Sequence, residues 1–268
     1  MVTCQHVMAA LEAIAPRRLA EEWDNPGLLV GSPRQEVHRV LTALDATDAV
    51  IEEAIDLGAD MIVAHHPVMF QAIKKVRTDL PLGHRLQVLL QHGIAVAAAH
   101  TNLDIAEGGV NDVLAARIGL VNVRDFVPAG AEGASLGRVG ELPEPMTLDA
   151  FARQVRDGLP AEFVRVVESG DHPVKRVALC SGAGADFIGK AAMIGADAYV
   201  TGDVRYHDAQ KAQELGIHVI DAGHFGTEFP IAAVLAERLT TELQKAGRAV
   251  DVIADTRSRD VFRVIADR

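Results

Sequence analysis

Cysteine is too scarce here for a disulfide framework. Cys4 and Cys180 are the only two in 268 residues, far apart, and they suggest neither cross-links nor a Cys-type zinc site. Positive charge is also short: 26 Lys and Arg face 37 Asp and Glu, a net charge of −11, with an isoelectric point near 5.4. That balance argues against a nucleic-acid footprint, which needs a basic face, and against an anionic membrane surface. No apolar run reaches the length of about 18 residues that a membrane span needs. The N-terminus carries no basic stretch followed by an apolar one. A soluble cytoplasmic protein is expected, and cationic metals or small molecules held through a metal remain open as partners. Hydrophobic residues make up 49% of the chain, enough for one large or two modest domains.

What is present centres on Ala64-His65-His66-Pro67. The apolar, β-branched run Met61-Ile62-Val63 leads into it, and Pro67 has no N–H to give to a central ladder. The pattern predicts a buried strand that stops at the histidines. Within a regular strand the two imidazoles would point to opposite faces; at a strand end the backbone can turn both toward one cavity. Two readings stand at this point: a pair of metal ligands, or a hydrogen-bonded polar cap.

Taken in order, the chain predicts a helix over Thr3 to Ile14 with Thr3 as N-cap. Trp23 follows, the only tryptophan, beside Asp24-Asn25-Pro26-Gly27, which is turn chemistry; it can pack as an anchor or line a pocket, and the packing role is the one expected. Next come a strand over Val37 to Leu44, a helix over Asp48 to Leu57 ending at Gly58, and the histidine strand. Lys74, Lys75 and Arg77 form a small basic patch, able to hold phosphate or carboxylate but expected as a solvated face. Helices are predicted over Leu82 to His92 and Val110 to Ile118, with a strand over Ile94 to Ala98 that runs into His100-Thr101-Asn102-Leu103-Asp104. Residues 121–174 are the least informative: a loop at 129–133, a short strand or hairpin near Gly137 to Leu142, a helix over Thr147 to Leu159, a strand over Phe163 to Val167. An α/β rhythm resumes from Lys175 to Ile220. A long amphipathic helix covers Phe229 to Ala246, and closing strands are expected at Val252 to Ile253 and Val261 to Ile265.

An internal repeat reorganises this list. Gly58-Ala59-Asp60 recurs as Gly195-Ala196-Asp197, and Arg39-Val40 recurs at the same offset as Arg176-Val177. Gly93-Ile94 is echoed by Gly216-Ile217, and each copy then reaches a histidine followed four residues later by a carboxylate: His100 with Asp104, His224 with Glu228. Two related α/β halves are expected, with strand ends converging on a central metal cleft, because ligands of α/β sheets sit beyond the carboxyl ends of strands. The expected division puts residues 1–127 with 229–268 in a first domain carrying His65, His66 and Asp104. Residues 128–228 form the second, ending at His224 and Glu228. The halves are not chemically equivalent, since Gly202-Asp203 stands where the first has His65-His66.

His65, His66, Asp104, His224 and Glu228 all follow predicted strands, a shared placement that capping roles explain only one residue at a time. Three imidazoles and two carboxylates without a thiolate suit Zn, Fe, Mn, Co or Ni. Five side chains exceed what one tetrahedral zinc needs, so two divalent ions about 3.5 Å apart are expected, with a carboxylate bridging. His100 is a candidate supporting group or proton shuttle, or a strand-end cap. Glu228 has its own alternative, a first-turn acid favoured by the helix expected from Phe229.

At these residues the chain resembles the Nif-three-like (YbgI-like) family, often named GTP cyclohydrolase type 2 homologue. The stretches that carry the resemblance are Glu22 to Gly27, His65-His66-Pro67, His100 to Asp104, Thr201-Gly202-Asp203 with Tyr206 to Ala209, and Asp221 to His224 with Glu228. The resemblance implies an α/β protein in the compact form, without an inserted domain, and a dinuclear metal centre at the five ligands named. It also implies assembly into a toroidal homohexamer. The function expected is a metal-dependent hydrolase on a nucleotide-like or cyclic amidine substrate, GTP ring opening being the named candidate. The alternative is a non-catalytic metal-binding or partner-binding hub.

Overall fold

The computed structural model describes residues 1–128 and 135–265; the loop expected at 129–133 lies outside them. The chain forms two compact units, one of residues 1–107 and 231–258, the other of 108–230 with the segment from Arg259 onward.

The first unit opens with helix α1 (Cys4–Ile14), then strand β1 (Gly27–Val30), β2 (Arg39–Ala43), α2 (Asp48–Leu57), β3 (Met61–Ala64), α3 (Pro81–Gln91), β4 (Ala95–Ala98) and the short α4 (Thr101–Ile105). The chain returns to it much later with α10 (Ile231–Lys245) and β11 (Asp251–Ala254). The sheet runs β1-β4-β3-β2-β11. All neighbours are parallel except β1 against β4. Every residue of β3 and β4 is buried, as sheets covered on both faces require. Leu41, Ile62 and Val96 pack with Val50, Ile51 and Ala54 of α2 and Leu86 and Leu89 of α3. On the opposite face α10 meets β2 and α1, and the Thr42 hydroxyl donates to the Ala232 carbonyl (2.7 Å).

The second unit contains α5 (Val110–Arg117), β5 (Val121–Pro128), β6 (Ser135–Met146), α6 (Leu148–Gly158), β7 (Arg165–Val167), β8 (Val174–Leu179), α7 (Ile188–Met193), β9 (Ala198–Thr201), α8 (Tyr206–Leu215), β10 (His218–Asp221) and α9 (His224–Glu228). Its sheet runs β5-β6-β8-β9-β10-β7, with a parallel centre of β8, β9 and β10. Alternation along β8 feeds two layers. Val177 and Leu179 meet Phe151 and Val155 of α6; Ala178 and Cys180 meet Ile188 and Ala191 of α7.

The two related α/β halves are therefore present. The helix over Asp48–Leu57 stops as expected at Gly58 in the left-handed region, and its start is capped by the Thr47 hydroxyl accepting from the Val50 N–H (3.3 Å). One strand was not foreseen and one expectation fails. Val121–Pro128 is a long strand paired antiparallel with β6, hidden in sequence because most of its side chains are exposed and it has no buried face to alternate. Residues 261–265 form no strand; Val261, Phe262 and Ile265 stand exposed, without the burial that a sheet face supplies.

Candidate functional site

In the first unit the histidines sit where β3 gives out. The His65 N–H still bonds the Ala43 carbonyl (3.0 Å) and the His66 N–H the Leu44 carbonyl (2.9 Å), but the chain bends there and the two rings come to 4.9 Å between centroids. His100, the residue before α4, joins them at 5.2 Å from His65 and 5.5 Å from His66. One nitrogen from each of the three rings lies within 4.8 Å of the others. Asp104, one helical turn after His100, brings its Oδ1 to 3.5 Å from His65 Nε2.

Each ring is oriented from behind. His65 Nδ1 is 2.9 Å from the Ala99 carbonyl, an acceptor only, so Nδ1 carries the hydrogen and the Nε2 lone pair is left for the cluster. His66 Nδ1 meets Asp45 (2.8 Å) and His100 Nδ1 meets Asp24 (2.8 Å). The Asp24 side chain has no exposed surface. Burial works to raise its carboxyl, but the hydrogen bonds from His100 and Thr101 and the His100 charge outweigh it and bring it down to about 2.

In the second unit the same pattern recurs on α9. His224 Nδ1 meets Asp203 Oδ2 (2.8 Å), and its Nε2 lies 3.0 Å from Glu228 Oε2. Asp203 holds a positive φ of 55°, uncommon for a residue with a side chain. Glu228 is buried. It is not the first-turn acid of the long helix: it ends α9, and a turn at 229–230 separates it from α10. A helix C-terminus disfavours an acid, so the alternative role drawn from the sequence is corrected.

These contacts test whether a metal suits the residues. With the hydrogen on Nδ1, a neutral imidazole Nε2 and a carboxylate oxygen are both acceptors. At 3.0 Å for His224 with Glu228 they repel unless a cation, proton or metal, joins them. Buried carboxylates need the same compensation. A donor set of imidazole Nε2 atoms and carboxylates, each ring held at Nδ1 by oxygen, is the arrangement metal-ligating histidines adopt. The residues fit divalent metal.

Sequence reasoning missed the supports Asp24, Asp45 and Asp203. Asp24 was legible as a turn residue and Asp203 as the replacement for His66, each also within a stretch that carries the family resemblance, but neither as the support of an imidazole. Trp23 also differs from its expected packing role: it is 60% exposed, with its ring 6.1 Å from His100. Lys74 and Lys75 are exposed as expected.

The sequence model of the Duf34/NIF3 (NGG1p interacting factor 3) family matches residues 2–260. The chain belongs to this family. Among its relatives, the GTP cyclohydrolase 1 type 2 homolog of Clostridium perfringens is 34% identical over 261 residues, covering 97% of this chain and 98% of that protein. The protein of the same name from Streptomyces coelicolor is 37% identical over 245 residues, with 89% and 86% covered. Among solved structures, the Bacillus cereus protein related to NIF3 superposes with a TM-score of 0.92 at 27% identity, covering 98% of this chain and 99% of that one. The NIF3 fold thus accounts for the α/β halves over nearly the full length. No helix among the described residues is long and apolar enough to cross a membrane.

Proposed function

We propose that His65, His66, Asp104, His224 and Glu228 are ligands of two divalent metal ions per chain, and that the protein is a metal-dependent hydrolase of nucleotide-like or cyclic amidine substrates. The observation that supports this best is the shared orientation of the imidazoles, each Nδ1 held by an oxygen. A divalent ion in such a set supplies a water ionised near neutral pH and polarises a carbonyl or phosphoryl oxygen. The chain's own residues contribute the rest. Asp45 and Asp203 fix the ring planes of His66 and His224. His100, held by Asp24, stands ready as a proton carrier beside His65 and His66 or as a further ligand.

The family resemblance supports a closed homohexamer, which light scattering would register as a species near six chains. The acidic composition supports small-molecule substrates in the cytoplasm over nucleic acid. The deciding experiment loads metal-free protein with Zn, Mn, Fe, Co or Ni, counts ions per chain, and follows GTP and cyclic amidines for hydrolysis. About two ions with turnover is the expected result, with at least one ion and the turnover lost in Glu228→Gln. Two ions with no turnover across the panel would replace the hydrolase by a metal-binding hub. Persistent absence of bound metal would overturn the reading at its base.

A further inference from the structure

The metal reading leaves one exposed feature of the first unit unused. Trp23 is 60% and Phe70 49% exposed, although large aromatic side chains are the ones most worth burying. They stand together, ring centroids 5.7 Å apart and planes at 54°. Both abut His100, Trp23 at 6.1 Å and Phe70 at 6.0 Å, each near edge-on. This is a corner of two exposed aromatic rings beside an imidazole of the proposed centre.

The corner is braced. Asp24, next to Trp23, accepts from the Thr101 N–H (3.0 Å) and pairs with His100. The Thr101 hydroxyl also accepts from the Glu21 N–H (3.0 Å). The Asn25 side-chain amide donates to the carbonyl of Met69 (2.7 Å), the residue before Phe70. The two loops are thus tied to each other and to the start of α4, which leaves the rings displayed at low ordering cost. Four and five residues beyond Phe70 come Lys74 and Lys75, both exposed, within roughly 14–18 Å of chain from it. Arg77 is engaged by Asp79.

We propose that Trp23 and Phe70 form a stacking platform for a planar heteroaromatic ring that carries an anionic group, with Lys74 and Lys75 receiving the anion. Aromatic faces accept any such ring and bind it by stacking, while the ammonium groups select against uncharged analogues. The inference deepens the hydrolase reading by naming the class of substrate presented to His100. Stacking itself requires no metal.

Because Trp23 is the only tryptophan, its emission reports this corner alone. The full chain, chelated and metal-loaded in parallel, is titrated with AMP, GMP and CMP, and with ribose 5-phosphate as the ring-free control. The nucleotides should quench Trp23 and ribose 5-phosphate should not. By calorimetry, Phe70→Ala and Trp23→Leu should each weaken nucleotide binding roughly tenfold. Lys74→Ala with Lys75→Ala should weaken AMP but leave adenosine unchanged. Quenching without turnover upholds the platform and counts against the hydrolase. Nucleotide turnover with unmoved Trp23 emission and no effect of Phe70→Ala overturns the platform and leaves the hydrolase standing. Equal affinity for AMP and ribose 5-phosphate also overturns it.

Discussion

The two halves share a device to the level of single hydrogen bonds and then part at the strand exits. In the first, Gly58 closes α2 with φ 61°, and Asp60 Oδ2 accepts from the N–H groups of His38 (2.6 Å) and Arg39 (3.0 Å). In the second, Gly195 turns with φ 70°, and Asp197 Oδ2 accepts from Lys175 (2.9 Å) and Arg176 (2.7 Å). Each Gly-Ala-Asp ends a helix and pins the start of the strand before it to the strand after it. At the same offset, His65 and His66 become Gly202 and Asp203, and Asp45 becomes Gly182. The difference has a steric cause. A Cβ on Gly202 would lie 2.7 Å from the backbone at Gly223 and His224, and one on Gly182 would lie 2.2 Å from Glu228 Oε1. The second half has no side chain at Gly202 or Gly182, where α9 approaches, and keeps the histidine–carboxylate pair His224 and Glu228 that answers His100 and Asp104. Repetition preserved the scaffold and one histidine–carboxylate exit in each half, while the His65-His66 exit belongs to the first half alone.

Each substitution below breaks or sharpens that comparison. The largest effect is expected from Glu228→Gln, which keeps shape but removes the charge compensating His224: loss of at least one metal per chain, read by elemental analysis, with folding retained. Full metal content would place the acid outside the donor set. Next is Gly202→Ala. Overpacking of this kind costs about 1–3 kcal/mol, and backbone neighbours this close put it at the upper end, measured by urea unfolding. A variant as stable as the parent would refute the steric account of the missing second His-His pair. Asp203→Asn should weaken metal binding by roughly 10–100-fold, and Asp45→Asn should do the same through His66. Unequal losses would rank the two supports.

Asp60→Asn and Asp197→Asn should each destabilise by about 1.5–3 kcal/mol, the range for hydrogen bonds to a charged group. A marked inequality would show that the shared device no longer does the same work in both halves. The smallest effect belongs to the second half alone. Burial lowers the His218 imidazole from its usual 6.5, helped by the neighbouring His172 and opposed by the His172 carbonyl, Glu168 and Asp197. The folded protein takes up that proton less readily than the unfolded chain, so its stability is level above about pH 6.5 and falls as pH drops below that. Thermal melts across pH 5 to 8 should show a shallower acid-side decline in His218→Gln. An unchanged decline would assign the acid sensitivity to other groups.

The halves were legible in sequence because Gly58-Ala59-Asp60 and Gly195-Ala196-Asp197 are needed by the backbone itself, so the letters persisted. The ligand candidates stood out because His65, His66 and the two His-to-carboxylate spacings follow apolar strands. The supports were hidden for a different reason: Asp24 lies 76 residues from His100 and Asp45 21 from His66, separations that carry no local pattern. Strand β5 was hidden because its residues are mostly exposed, and periodicity records burial. The end of α9 was misjudged because Phe229-Pro230 looked like a helix start, whereas Pro230 there separates two helices.

The return of α10 and β11 to the first unit sets an order for making the protein. The second sheet owns all six strands once Asp221 has been synthesised. The first lacks its β11 edge until Ala254, with the Thr42 hydroxyl waiting for the Ala232 carbonyl. During synthesis, which proceeds from the N-terminus, the sheet begun first is finished last. The apolar face that α10 covers on β2 stays open while more than a hundred further residues leave the ribosome, so holdase chaperones have their longest opportunity on the half that carries His65 and His66.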